Sequence, residues 1–182
     1  MNALIAFVRF VDALNERVGR VVGWFTVGTV VVCASVVVLR YAVHTGFIWM
    51  QELYVWIHAA VFMVGAGYTF KVNGHVRVDI LYAKASPRTK AWVDLLGGVV
   101  FLLPWLAVIA VSTAPWVWAS ILTNESSAST GGMPGLYVLK SVILVFCLLL
   151  GLQGLATIAR SILVLNGRDE WLFKEEAAQA PG

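Results

Sequence analysis

Ionisable and polar side chains set inside long apolar runs are the positions where a chain of this kind could do chemistry, because each is costly to place in hydrocarbon. Arg40 and Glu52 stand at the same end of two successive apolar runs. If those runs form an antiparallel hairpin, the two side chains share a depth and carry opposite charge, and Lys140 could share the Glu52 carboxylate. The pattern reads as a structural ion pair that pins the hairpin, with a polar contact to a partner helix as the alternative. Glu52, Asp94, Lys140 and Arg160 all lie within a turn or two of a run's end, where long side chains reach the interface. The middle of each run is nearly empty of charge, which argues against an ion or substrate path through this chain. Gln153 reads as a hydrogen-bonding group between helices. His58 is the one histidine well inside a run. Haem ligation by two histidines needs a second at similar depth on a facing helix, and His44 and His75 lie at run ends, so His58 reads as a packing residue. Cys33 and Cys147 sit in apolar stretches and form no CxxC motif, so both read as small hydrophobes. No nucleophilic triad, phosphate-cradling glycine loop or pair of catalytic carboxylates can be assembled. The reading is a non-enzyme with no catalytic, cofactor or metal site.

The elements that carry these residues follow from composition and run length. Of 182 residues, 60% are hydrophobic and 13% charged, whereas soluble domains are about 45–50% apolar and about 25% charged. Mean hydropathy is +0.83. Four runs lack charge: Val21–Leu39, Leu53–Phe70, Leu95–Asn124 and Ser141–Ala159, of 19, 18, 30 and 19 residues. At about 1.5 Å per residue the 19-residue runs cover roughly 28 Å, close to a hydrocarbon core of about 30 Å. An all-α integral membrane protein is expected, a single membrane domain over 1–182 with spans at about 19–40, 48–71, 87–120 and 136–165 and a tail over 166–182. The first run is too long for a signal peptide and has no A-x-A site after it, so it reads as a retained helix. Pro104 predicts a kink in the over-long third span. Ser86-Pro87 reads as its N-cap and first position, and Asn73-Gly74 as a turn. Over residues 2–18, Leu4, Ile5, Val8, Val11, Leu14 and Val18 recur at helical spacing, with Asp12, Asn15, Glu16 and Arg17 on other faces. That pattern predicts an amphipathic interfacial helix; the alternative is an extension of the first span.

Charge sets the expected orientation. Arg9, Arg17, Arg20, Lys71, Arg77, Lys84, Arg88, Lys90, Arg160, Arg168 and Lys174 fall on one side, against Arg40 and Lys140 on the other. This bias places both termini and the middle loop in the cytoplasm. Net charge is +3, but the cations flank apolar runs, where they meet lipid headgroups, so nucleic acid is not an expected partner. Tryptophans near the run ends read as an aromatic belt. Gly65-Ala66-Gly67 would allow close helix approach, and the Ser- and Gly-rich segment 123–135 reads as a flexible, exposed loop.

Leu39-Arg40-Tyr41, Trp49-Met50-Gln51-Glu52-Leu53 and Gly74-His75-Val76-Arg77-Val78-Asp79, with their spacing, give the chain a family likeness over roughly Leu14 to Leu163. It resembles the small membrane subunit (DctQ-like) of tripartite ATP-independent periplasmic, or TRAP, transporters. Gly131-Gly132-Met133-Pro134 and Leu152-Gln153-Gly154 resemble the mannitol/chloroaromatic branch. The resemblance implies an accessory subunit in the bacterial inner membrane, without a cofactor of its own. Its implied partners are a large elevator-type membrane subunit (DctM-like) that carries the substrate and sodium sites, a periplasmic solute-binding protein (DctP-like) and membrane lipids. Arg40, Glu52, Trp56, His75, Arg77 and Asp79 are the family-typical positions, assigned to hairpin architecture, the lipid interface and subunit contact. Two other readings compete with this one. An autonomous four-helix transporter would need a carboxylate near the midplane, and a haem-bearing membrane anchor would use His58.

Overall fold

The computed structural model describes residues 2–75, 82 and 85–171. Among these residues every regular element is helical. The helices are α1 (Asn2–Ala42), α2 (Ile48–Lys71), α3 (Pro87–Leu122) and α4 (Leu136–Leu165), with a 3-10 turn at Asp169–Trp171. Each of the four is long and apolar enough to cross a membrane.

α1 is one unbroken helix of 41 residues, about 60 Å long at about 1.5 Å per residue. The expected separate interfacial helix over 2–18 is therefore corrected: the segment extends the first span's helix. The reason lies in what covers its apolar stripe. Val8 and Val11 are fully buried against Ala156 and Ala159 of α4, with Leu4, Phe7, Leu152 and Trp171 packed around them. Periodicity alone cannot say whether such a stripe meets lipid or protein, and here it meets protein.

α2 ends as its sequence directs. Asn73 adopts a left-handed conformation (φ 58°), which asparagine tolerates better than most residues, and the Gly74 N–H returns to the Thr69 carbonyl at 2.9 Å. That six-to-one bond closes the helix in the Schellman manner. α3 opens on Ser86, whose Oγ accepts the Thr89 N–H at 3.2 Å, with Pro87 in the first turn. The irregularity expected at Pro104 lies just before it, as a π-helical turn over Gly98–Leu102 in which the Leu103 N–H reaches back to Gly98. Proline cannot donate to Val100, and its ring crowds that carbonyl, so a widened turn ahead of it relieves the clash.

α4 is the centre of the arrangement. In its most apolar stretch 44% of the residues are buried, against 6% in each of the other three helices. It packs against α1, α2 and α3, while α2 and α3 scarcely touch each other. Gly151, Gly154, Ala156, Ala159 and Ser161 explain its place: short side chains let three helices approach one axis. Large apolar groups on the other helices face outward, among them Trp24, Phe62, Phe101 and Val111.

Candidate functional site

The polar side chains gather in two clusters, one at each end of the helices. At the Lys71 end, α1 crosses α4 through a four-residue network. Arg160 donates to one Asp12 carboxylate oxygen at 2.7 Å and Gln153 Nε2 to the other at 2.9 Å. The Gln153 carbonyl then accepts from Asn15 Nδ2 at 2.8 Å. Asn15 and Gln153 are fully buried. The close approach of α2 needs Gly67, because a Cβ there would run into the Asn15 carboxamide and stand 3.3 Å from the Leu149 carbonyl. One turn further along α1, Glu16 accepts from Lys71 of α2 at 2.5 Å and from Arg20 at 2.9 Å. Two carboxylates thus fasten α1 to α4 and to α2.

At the Glu52 end the loop 123–135 is folded onto the helices. Glu52 accepts the Ser127 hydroxyl and, at 2.6 Å, the Met133 backbone N–H. The loop also closes on itself, since the Ser127 N–H bonds the Met133 carbonyl at 3.0 Å and the Leu136 N–H bonds the Glu125 carbonyl at 2.8 Å. Lys140 is buried, pairs with Glu125 and lies 4.0 Å from the centre of the Trp116 ring, a favourable cation–π placement. The expected pair therefore has other partners. Glu52 binds the loop and Lys140 binds Glu125, while Arg40 lies exposed at the end of α1 with no ion pair among the described residues. A loop read as flexible is instead held by backbone bonds and by two carboxylates, because its own serine hydroxyl and backbone donors compete for Glu52.

Of the remaining sequence candidates, Gln153 sits at the middle of the first network. Trp56 is half-buried on α2, and His75 is exposed with its ring edge-on to Phe70 at 5.8 Å. Arg77 and Asp79 lie outside the described residues. His58 is exposed on α2, Cys33 is exposed and Cys147 buried. Sequence reasoning missed Asp12, Asn15 and Glu16 as contact residues. A signal is present, since a carboxylate, an amide and a second carboxylate fall within two turns of α1, but the amphipathic pattern only sets them off the apolar stripe and names no partner for them. Among the described residues no three His, Cys, Asp or Glu side chains stand close enough to hold a metal ion.

This arrangement can fix helix register and hold a loop, and most of its polar groups bond to one another, the buried Asn15 Oδ1 being left without a partner. The family described as Tripartite ATP-independent periplasmic transporters, DctQ component, matches residues 28–164. The chain belongs to this DctQ family. No curated protein and no solved structure matches it. The matched stretch of this DctQ component includes the whole Glu52 cluster together with Gln153 and Arg160, and begins after Asp12, Asn15 and Glu16.

Two outcomes follow for the DctQ loop. Glu52→Ala should free it from α2 while the helices stay intact. A nitroxide on Ala128, which is exposed, should then give a spectrum close to that of an unhindered label, with unchanged circular dichroism. A spectrum like the parent's would show that the loop holds itself. The second outcome concerns pH. Lys140 beside Glu125 keeps that carboxyl below its ordinary value of 4.5. A depressed carboxyl contributes stability above the ordinary value and loses it as pH falls through the lowered one. Label mobility at Ala128 should therefore rise only below about pH 4.5, and Glu125→Gln should raise it already at pH 7.

Proposed function

We propose that this DctQ component is the non-catalytic small permease subunit of a TRAP transporter. It braces a large, DctM-like elevator subunit during sodium-gradient-driven uptake of an organic acid or related solute. A periplasmic, DctP-like binding protein delivers that solute to the outer face. The substrate and sodium sites belong to the large subunit. The mannitol/chloroaromatic branch is the one its Gly131-Gly132-Met133-Pro134 and Leu152-Gln153-Gly154 segments favour. The excess of Lys and Arg around the termini and the middle loop favours placing these on the cytoplasmic side of the inner membrane.

The observation that supports this reading is where the polar groups go. Secondary transporters commonly place polar groups and broken helices near the bilayer midplane. Here Asp12, Asn15, Gln153 and Arg160 are engaged with one another at one end and Glu52, Glu125 and Lys140 hold the loop at the other, while α4 joins three outward-facing apolar helices to one axis. That is the build of a rigid part, against which a partner can move. Arg40, Trp56, His75, Arg77 and Asp79 are proposed as contacts to the large subunit or to the lipid interface.

Deletion of this chain, with the large subunit kept at its normal level of synthesis, tests the role. Solute uptake should be lost, and the large subunit should be depleted from the membrane or inactive within it. Normal uptake at normal large-subunit abundance would refute the reading.

A further inference from the structure

We propose that the groove between α2 and α3 is a binding site for one glycerophospholipid of the leaflet at the Lys71 end. This goes beyond the subunit role and requires only that the chain lies in a bilayer. The groove exists because α2 and α3 both pack on α4 and scarcely on each other. It encloses about 1140 Å³, with Ala66 and Phe70 on one wall, Trp105 and Ile109 on the other, and Phe146 and Leu150 on its floor.

Length identifies the occupant. Along α2 the lining runs from Val61 to Phe70, nine steps or about 14 Å, which is close to half of a hydrocarbon core of about 30 Å. Beyond it, the loop 123–135 bridges to α2 through Glu52. A partner's spanning helix needs the full thickness, whereas the acyl chains of a single leaflet need only this depth. Charge at the mouth agrees. Gly19 and Gly23 line the groove with Arg20 between them in sequence, and Lys71 follows Phe70. Both cations share the one Glu16 carboxylate, which leaves that trio with a net positive charge, and the exposed His75 lines the groove. A phosphodiester at headgroup level suits that balance.

The test uses the full-length chain in lipid vesicles with diazirine-bearing acyl chains on phosphatidylglycerol, phosphatidylethanolamine or phosphatidylcholine, the labelled residues being mapped by mass spectrometry. Labelling should concentrate around Ala66, Trp105 and Phe146, above the level on the outward face of α1 near Trp24. Gly65 has open space where a side chain would project, so Gly65→Trp should reduce groove labelling roughly tenfold as the chains lose their room. Labelling near Trp24 should stay unchanged. If Gly65→Trp does not give a monodisperse helical protein, Ile109→Trp serves the same purpose from α3. Arg20→Gln combined with Lys71→Gln should lower groove labelling by phosphatidylglycerol relative to phosphatidylcholine. Groove labelling no higher than that near Trp24, or insensitive to filling, would overturn the proposal. So would a Gly65→Cys chain that cross-links to a partner's helix in native membranes in place of lipid.

Discussion

Asp12→Ala should release residues 2–18 of α1 from α4 and lower the stability of the folded chain by about 3 kcal/mol, the scale on which breaking a poorly hydrated ion pair acts. Asp12 is the hub: Arg160 and Gln153 both donate to it, and side-chain exposure is only 22% for Asp12 and 12% for Arg160. Removing the carboxylate takes a partner from a guanidinium and from an amide at one stroke. Gln153→Leu should cost less, about 1–2 kcal/mol, because single hydrogen bonds between membrane helices average about 0.6 kcal/mol. That substitution also leaves the buried Asn15 Nδ2 with only the Val11 carbonyl at 3.4 Å. The two changes touch one network, so their costs should not add, and a double-mutant cycle should show a coupling of about 1 kcal/mol or more. Midpoints of unfolding in mixed detergent measure all of these. Hydrogen exchange should show residues 2–18 opening first in the Asp12 variant. An Asp12→Ala protein that unfolds at the parent's midpoint would mean that the packing of Val8 and Val11, with the Asn15 and Glu16 contacts, holds α1 in place without the Asp12 carboxylate.

Gly67→Val is the second large effect. Gly67 is buried where α2 meets both α1 and α4, and a side chain there would meet the Asn15 carboxamide and the Leu149 backbone. The Leu149 carbonyl cannot rotate aside, so either α2 withdraws or Asn15 leaves Gln153. Overpacking of this kind costs about 1–3 kcal/mol, and the displaced amide adds to it. Gly65 is the control, two residues away on the same helix with open space around it. Gly65→Ala should change stability by no more than about 0.5 kcal/mol, or raise it slightly through helix propensity. Equal midpoints for the two variants would show that close approach at Gly67 is not what sets the α1–α2–α4 crossing.

The elements of this chain are legible because hydrocarbon imposes a length, and local chemistry marks the ends. Charge-free runs locate α1 to α4, Ser86-Pro87 marks the start of α3, and Asn73-Gly74 marks the turn after α2. Partner choice is not legible in the same way. Arg40 and Glu52 have matching depth and opposite sign, yet Glu52 binds a hydroxyl and a backbone N–H from a loop more than seventy residues away in sequence. A run of Ser and Gly advertises flexibility by composition, and nothing in it announces which carboxylate it will wrap. Residues 2–18 show the same limit. Their periodicity is real, but whether the apolar stripe meets headgroups or α4 depends on Ala156 and Ala159, far along the chain. Helix existence is a local property, whereas which groups satisfy which is decided by packing.

The proposed role requires this chain to be an immobile brace with no transport path of its own. Reconstitution into vesicles with a sodium gradient and a saturated solute-binding protein tests that most directly, with this chain alone, the large subunit alone, or both together. Solute should enter only the vesicles that hold both. Coupled uptake by this chain alone, or by the large subunit alone at the rate of the pair, would contradict it.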